Sequence, residues 1–99
     1  VVMATFIVLM SLTDQGIRNA KQIPERRKAG IAAAEKLGIN VKEAYLTAGA
    51  YDTVVIADAP NGEAMTTWTL AIGSQGNMRT QMMRAFSSDE TDKILAKLP

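Results

Sequence analysis

Two strand-like runs in this chain are apolar on both of their faces, and that restricts the folds open to it more than any other feature. In residues 4–12, Phe6, Val8, Met10 and Leu12 project to one side of an extended chain, and Ile7 and Leu9 project to the other. The run that opens at Tyr51-Asp52 and continues through Thr53, Val54, Val55 and Ile56 is similar over most of its length. Strands of this kind belong in the middle of a sheet. Two further runs, residues 41–48 and 77–86, carry Lys42, Glu43, Arg79, Gln81 and Arg84, as edge strands do. An antiparallel 4-1-3-2 order satisfies all four.

Helical signals fill the gaps and give the order β-α-β-β-α-β-α. Thr13 or Asp14 can cap a helix after the first strand. Pro24 has no N–H to give a helix interior, so it marks the first turn of a second helical segment. Gly30, Ala33, Ala34 and Leu37 then form a narrow stripe of small residues suited to lying close on a sheet, and Gly38 stops the segment in a Schellman arrangement with Ile39 over Ala34. Asn61 caps the next helix, whose apolar side is Ala64, Met65, Trp68, Ala71 and Ile72. Ser87-Ser88-Asp89-Glu90 is a capping box that starts a short last helix carrying Ile94, Leu95 and Leu98. Ninety-nine residues suit one domain spanning 1–99, because halves would have cores too small to be stable.

Between the second and third strands, Gly49-Ala50 predicts a tight two-residue hairpin with a II′ turn, since glycine takes positive φ without a Cβ clash. In that register Tyr45 faces Val54, Tyr45, Thr47 and Asp52 share one sheet face, and Tyr51 lies on the other. The four residues Gly49-Ala50-Tyr51-Asp52 resemble the G-x-Y-D signature of the GYD-domain family. Residues 13–17 (Thr-Asp-Gln-Gly-Ile) and 76–80 (Gly-Asn-Met-Arg-Thr) are similar to segments at matching places in that family, and the resemblance runs from Met3 to Pro99. It implies a small α+β domain of ferredoxin-like topology that associates through its sheet as a dimeric α/β barrel.

The same association follows from the strands themselves. Two helices cover one face of a four-stranded sheet, which leaves the second apolar side of the central strands bare. A patch much above ~400 Å² is a liability in a monomer, and packing two sheets face to face removes it. Self-association as a homodimer or larger homo-oligomer is therefore expected.

Composition excludes several classes of function. Eleven Lys and Arg against ten Asp and Glu leave a net charge of +1, without the concentrated basic face that captures nucleic acid. Arg26-Arg27-Lys28 is a basic cluster, but Glu25 and Glu35 flank it, and it reads as a solvated helix face. No apolar run approaches the ~18 residues of a membrane span, and residues 1–12 lack a secretory pattern. Val1-Val2 precedes Met3 and leaves the origin of those two residues open. There is no His and no Cys, which removes the commonest general base, the thiol nucleophile and the usual zinc and haem ligands. Cysteine-free composition suits a cytoplasmic protein. No metal or other cofactor is expected. Residues 73–77 (Gly-Ser-Gln-Gly-Asn) look superficially like a phosphate loop, but they follow a helix C-terminus, where the dipole is negative.

The polar side chains left as candidates for a ligand site are Tyr45, Tyr51, Asp52, Arg79 and Arg84. A carboxylate with nearby hydroxyls can orient a polar ligand or exchange a proton, and one arginine can grip a carboxylate bidentately. The plainer reading has Asp52 capping the turn or pairing with Arg79 or Arg84, and Tyr51 packing at an interface. The methionines, which include Met10, Met65, Met78, Met82 and Met83, and Trp68 read as packing residues. Three functions remain open: a domain binding a small, partly apolar molecule between sheet and helices; a cofactor-free isomerase or oxygenase acting on a small aromatic or lactone-like compound, by analogy of fold; and an interaction protein whose role is its assembly.

Overall fold

In a computed structural model that describes residues 2–99, β1 (Ala4–Leu12) leads through a short α1 (Asp14–Arg18) and one turn of 3-10 helix (Ala20–Gln22) into α2 (Ile23–Lys36). The hairpin β2 (Asn40–Leu46) and β3 (Thr53–Ala59), then α3 (Gly62–Ser74), β4 (Met78–Ala85) and α4 (Ser88–Leu95) complete the chain. The strands form one antiparallel sheet in the order β2-β3-β1-β4. This is the ferredoxin-like arrangement expected, with β1 and β3 at its centre and the helices on one side.

Phe6, Val8 and Met10 of β1 and Val55, Ala57 and Ala59 of β3 form the floor of the core. Met65 and Trp68 of α3, Ala34 of α2 and Ile39 close it from above. The Trp68 indole N–H donates to the Gly30 carbonyl at 2.9 Å, tying α3 to the backbone of α2. Of the small-residue stripe, Ala34 is fully buried, whereas Ala33 is exposed.

The helix ends follow the local chemistry. Thr13 accepts from the Gly16 N–H and so caps α1, Pro24 sits in the first turn of α2, and Asn61 accepts from the Ala64 N–H. At the end of α2 the Gly38 φ is 76°, and Ile39 N–H reaches the Ala34 carbonyl at 2.9 Å, as a Schellman motif requires. Both bonds of the capping box form at α4 between Ser87 and Glu90.

Segments 13–17 and 76–80 meet at one corner. Thr13 N–H donates to the Asn77 carbonyl at 3.0 Å, and the Gln15 amide donates to the Gln75 carbonyl at 3.1 Å and to Asn77 Oδ1 at 3.0 Å. Gly16 lies so close that a Cβ there would stand 2.1 Å from the Asn77 carbonyl oxygen. Of residues 73–77, Gly73 and Ser74 close α3 and Gln75-Gly76-Asn77 turn into β4, with Gly76 at φ 83°.

The hairpin departs from expectation at its tip. Tyr45 does pair with Val54, but the strands end at Leu46 and Thr53, and Gly49 has φ 150° rather than the roughly +60° of a II′ turn. Asp52 supplies the cause, because it is bound to β1. Its N–H donates to the Met10 carbonyl at 2.9 Å, and its carboxylate accepts from the Leu12 N–H at 2.7 Å. Held there, residues 47–52 make a wider loop, closed by Thr47 N–H to the Asp52 carbonyl at 2.8 Å.

Candidate functional site

Two regions of the fold offer more than core packing. The first is the helix-free face of the sheet. Alternation with the buried residues of β1 and β3 aims Ile7, Leu9, Val54 and Ile56 away from the helices, and all four are partly exposed. Register adds Met83 and Gln81 from β4 and Tyr45 from β2. Polar groups border this strip. Asp58 accepts from the Thr5 hydroxyl at 2.7 Å and lies 3.8 Å from the Lys42 ammonium. The Tyr45 hydroxyl donates to Glu43 at 2.9 Å, and that bond, followed by the carboxylate's charge, raises the phenol above its ordinary pKa.

Tyr51 joins this same face. Strand alternation assigned it to the side opposite Tyr45, but its hydroxyl donates to Gln81 Oε1 at 2.8 Å. Gln81 pairs with Leu9 on the helix-free side. The alternation fails because Tyr51 precedes β3, so the pleat does not govern its direction. Asp52 is a backbone surrogate. Its carboxylate extends the ladder to Leu12 after β3 has turned away, in place of the pairing with Arg79 or Arg84 weighed from sequence.

The two arginines lie on opposite faces, as expected. Arg79 is opposite Ser11 on the helix-free side and is exposed. Arg84 is opposite Phe6, with its guanidinium 4.5 Å from the Phe86 ring centre and 5.8 Å from that of Phe6. It also bridges Glu90 at 3.0 Å, and so fixes the start of α4. The Ser87 N–H first, and then Arg84, hold the Glu90 carboxyl below its usual pKa. The five candidate residues therefore do not converge on one site. Tyr45, Tyr51 and Arg79 share a face, Asp52 serves the backbone, and Arg84 anchors α4.

The second region is a cleft of about 150 Å³ between α2, α3 and the helix side of β1, β2 and β3. Met10, Val41, Val55, Trp68 and Ile72 give it apolar walls. Arg26 also lines it, although the basic cluster reads as solvated in sequence. Its Nη1 donates to the Asn19 carbonyl at 2.9 Å, while Nη2 is buried without a hydrogen-bond partner among the described residues. A signal was available in the sequence. Arg26 stands one turn before Gly30 on the small-residue stripe, the side of α2 that faces the sheet.

Comparison with known proteins agrees with this architecture. The chain is 33% identical over 84 residues to the glutamine synthetase and cystathionine beta-lyase binding protein of Thermus thermophilus, a match spanning 84% of this chain and 88% of that protein. The crystal structure of MtbAldR superposes with a TM-score of 0.67 at 11% identity, over 88% of this chain, and so shows likeness of fold. The chain spans about half of that solved chain, 55% of its length. The sequence model of the GYD domain matches residues 6–95, nearly the whole chain, and the chain belongs to the GYD domain family.

Proposed function

We propose that this chain is a binding domain that assembles with a second copy of itself through the helix-free face of its sheet and, so assembled, engages partner proteins. The uncovered second face of β1 and β3 carries the reading. Four strands of seven to nine residues present a face on the order of 500 Å² at ordinary strand spacings. Two such faces bury on the order of 1,000 Å² in total, about where specific interfaces begin. An isologous contact needs only this one patch. Its border carries both signs of charge, Lys42 and Arg79 with Glu43 and Asp58, so two copies meet without net repulsion. Exposed Ile94 and Leu95 on α4, and Leu98 just past its end, supply further apolar surface for an assembly. The name of the Thermus relative, a binding protein for two enzymes, supports partner binding in this chain as well.

Sedimentation equilibrium at micromolar concentration tests the assembly. The unsubstituted chain is expected as a dimer or larger, and Ile7→Lys combined with Ile56→Lys as a folded monomer. A folded monomer of the unsubstituted chain refutes the proposal. A second reading, binding of a small and partly apolar molecule between sheet and helices, is supported by the apolar cleft beneath α2.

A further inference from the structure

We infer that the cleft beneath α2 is a site for a small monocarboxylate with a branched aliphatic or single-ring aromatic body, and that Arg26 holds the carboxylate. The inference rests on reading the cleft as a ligand site and adds the chemistry of the ligand. Arg26 supplies the argument. A guanidinium N–H withdrawn from water and left without an acceptor costs free energy, and a bound anion removes that cost. Here Nη2 is buried and unpartnered, and no carboxylate among the described residues lies within ion-pair distance of Arg26. Nη1 is already fixed by the Asn19 carbonyl at 2.9 Å, so the guanidinium is held in place before any ligand arrives.

The walls limit the rest of the ligand. Met10, Val55, Trp68 and Ile72 make most of the wall apolar, with Thr53, Gln75 and Asn77 among its few polar groups, a lining that favours a mostly apolar body over a sugar. The volume of about 150 Å³ compares with that of an apolar cavity that admits one benzene ring, which favours a compact body over a long acyl chain. A phosphate would need more donors than one buried guanidinium edge supplies, whereas a planar carboxylate matches that edge.

Titration of the full chain with benzoate and with 4-methylpentanoate tests the site, read by calorimetry and by emission of Trp68, the single tryptophan. Both acids are expected to bind saturably and to perturb Trp68. Benzamide, which keeps the ring and lacks the charge, is expected to bind about tenfold more weakly or worse, a gap of the size that a charged hydrogen bond provides. Arg26→Gln should lower benzoate affinity by a similar factor and leave benzamide unchanged. Ala44→Leu, which adds bulk on an exposed lining residue and spares Arg26, should weaken both. No saturable binding by any of the three compounds overturns the cleft reading together with the inference. Equal affinity for benzoate and benzamide in the unsubstituted chain overturns the carboxylate assignment alone, and that comparison does not depend on any variant folding.

Discussion

Gly16→Ala should destabilise this protein, although helix propensity alone predicts the reverse. Alanine in place of a helical glycine gains about 1 kcal/mol where nothing obstructs it. At Gly16, in α1, the new Cβ would stand 2.1 Å from the Asn77 carbonyl oxygen, 3.0 Å from its carbon and 3.1 Å from Leu12 Cδ2. Real carbon–oxygen contacts are longer by roughly 1 Å, so α1 and the Gly76-Asn77 turn must separate. That separation strains the Thr13 N–H to Asn77 bond at 3.0 Å and the two bonds made by the Gln15 amide. Overpacking of this kind costs about 1–3 kcal/mol, and each neutral hydrogen bond lost adds about 1 kcal/mol. Against the propensity gain, a net loss of about 1–3 kcal/mol remains. Urea unfolding at fixed protein concentration measures it as a lowered midpoint, and thermal unfolding should show Tm falling by several degrees for each kcal/mol. Gly30→Ala is the control. It lies inside α2 with no atom within 4 Å of an added Cβ, so it should stabilise by about 0.5–1 kcal/mol. Gly16→Ala as stable as the unsubstituted chain, or more so, would refute the close approach of α1 to residues 76–77.

Asp52→Ala should cost about 1–2 kcal/mol, because it leaves the half-buried Leu12 N–H without its acceptor, while Asp52→Asn should cost less because an amide oxygen can take the same place; equal stability of all three proteins in urea would remove Asp52 from the ladder. Acid should release α4. The folded-state pKa of Glu90 is depressed, so its contribution is present above the ordinary carboxylate pKa and is lost as pH falls through the folded value. The stability gap between the unsubstituted chain and Glu90→Gln should therefore be constant above about pH 5 and narrow as pH falls below the ordinary carboxylate range; a gap that does not change with pH would contradict the Ser87 and Arg84 contacts.

The sheet was legible because its signal is redundant. Two doubly apolar strands and two charged ones admit few orders, and each helix end carries its own marker, from Thr13 to Ser87. What escaped the sequence depends on contacts between segments far apart in the chain. Alternation misplaces Tyr51 because it is carried two residues beyond the ladder, which ends at the start of β3 at Thr53. The wide hairpin tip depends on bonds from Asp52 to Met10 and Leu12, some forty residues away, as the Leu12 bond shows with its separation of 40. Arg26 was read with its neighbours Arg27 and Lys28 as one solvated run, although successive helical residues point about 100° apart and only Arg26 of the three is partly buried. The polar candidates suited a ligand by type. Their existing partners, Glu43 for Tyr45 and Glu90 for Arg84, stand only two and six residues away in the chain, a local signal that the sequence offered.

Oxidative cross-linking of single-cysteine variants tests the central claim, that the helix-free face of the sheet joins two copies. The chain has no cysteine of its own, so each introduced thiol reports alone. Ile56→Cys places a thiol at the middle of the face, and Thr66→Cys places one at an exposed position on α3. Face-to-face sheets pack about 10 Å apart, with their side chains interdigitated between them. The account predicts a disulfide-linked dimer for Ile56→Cys at micromolar concentration, formed much faster than for Thr66→Cys. Equal rates at the two positions, or a dimer that cross-links only through Thr66→Cys, would contradict it.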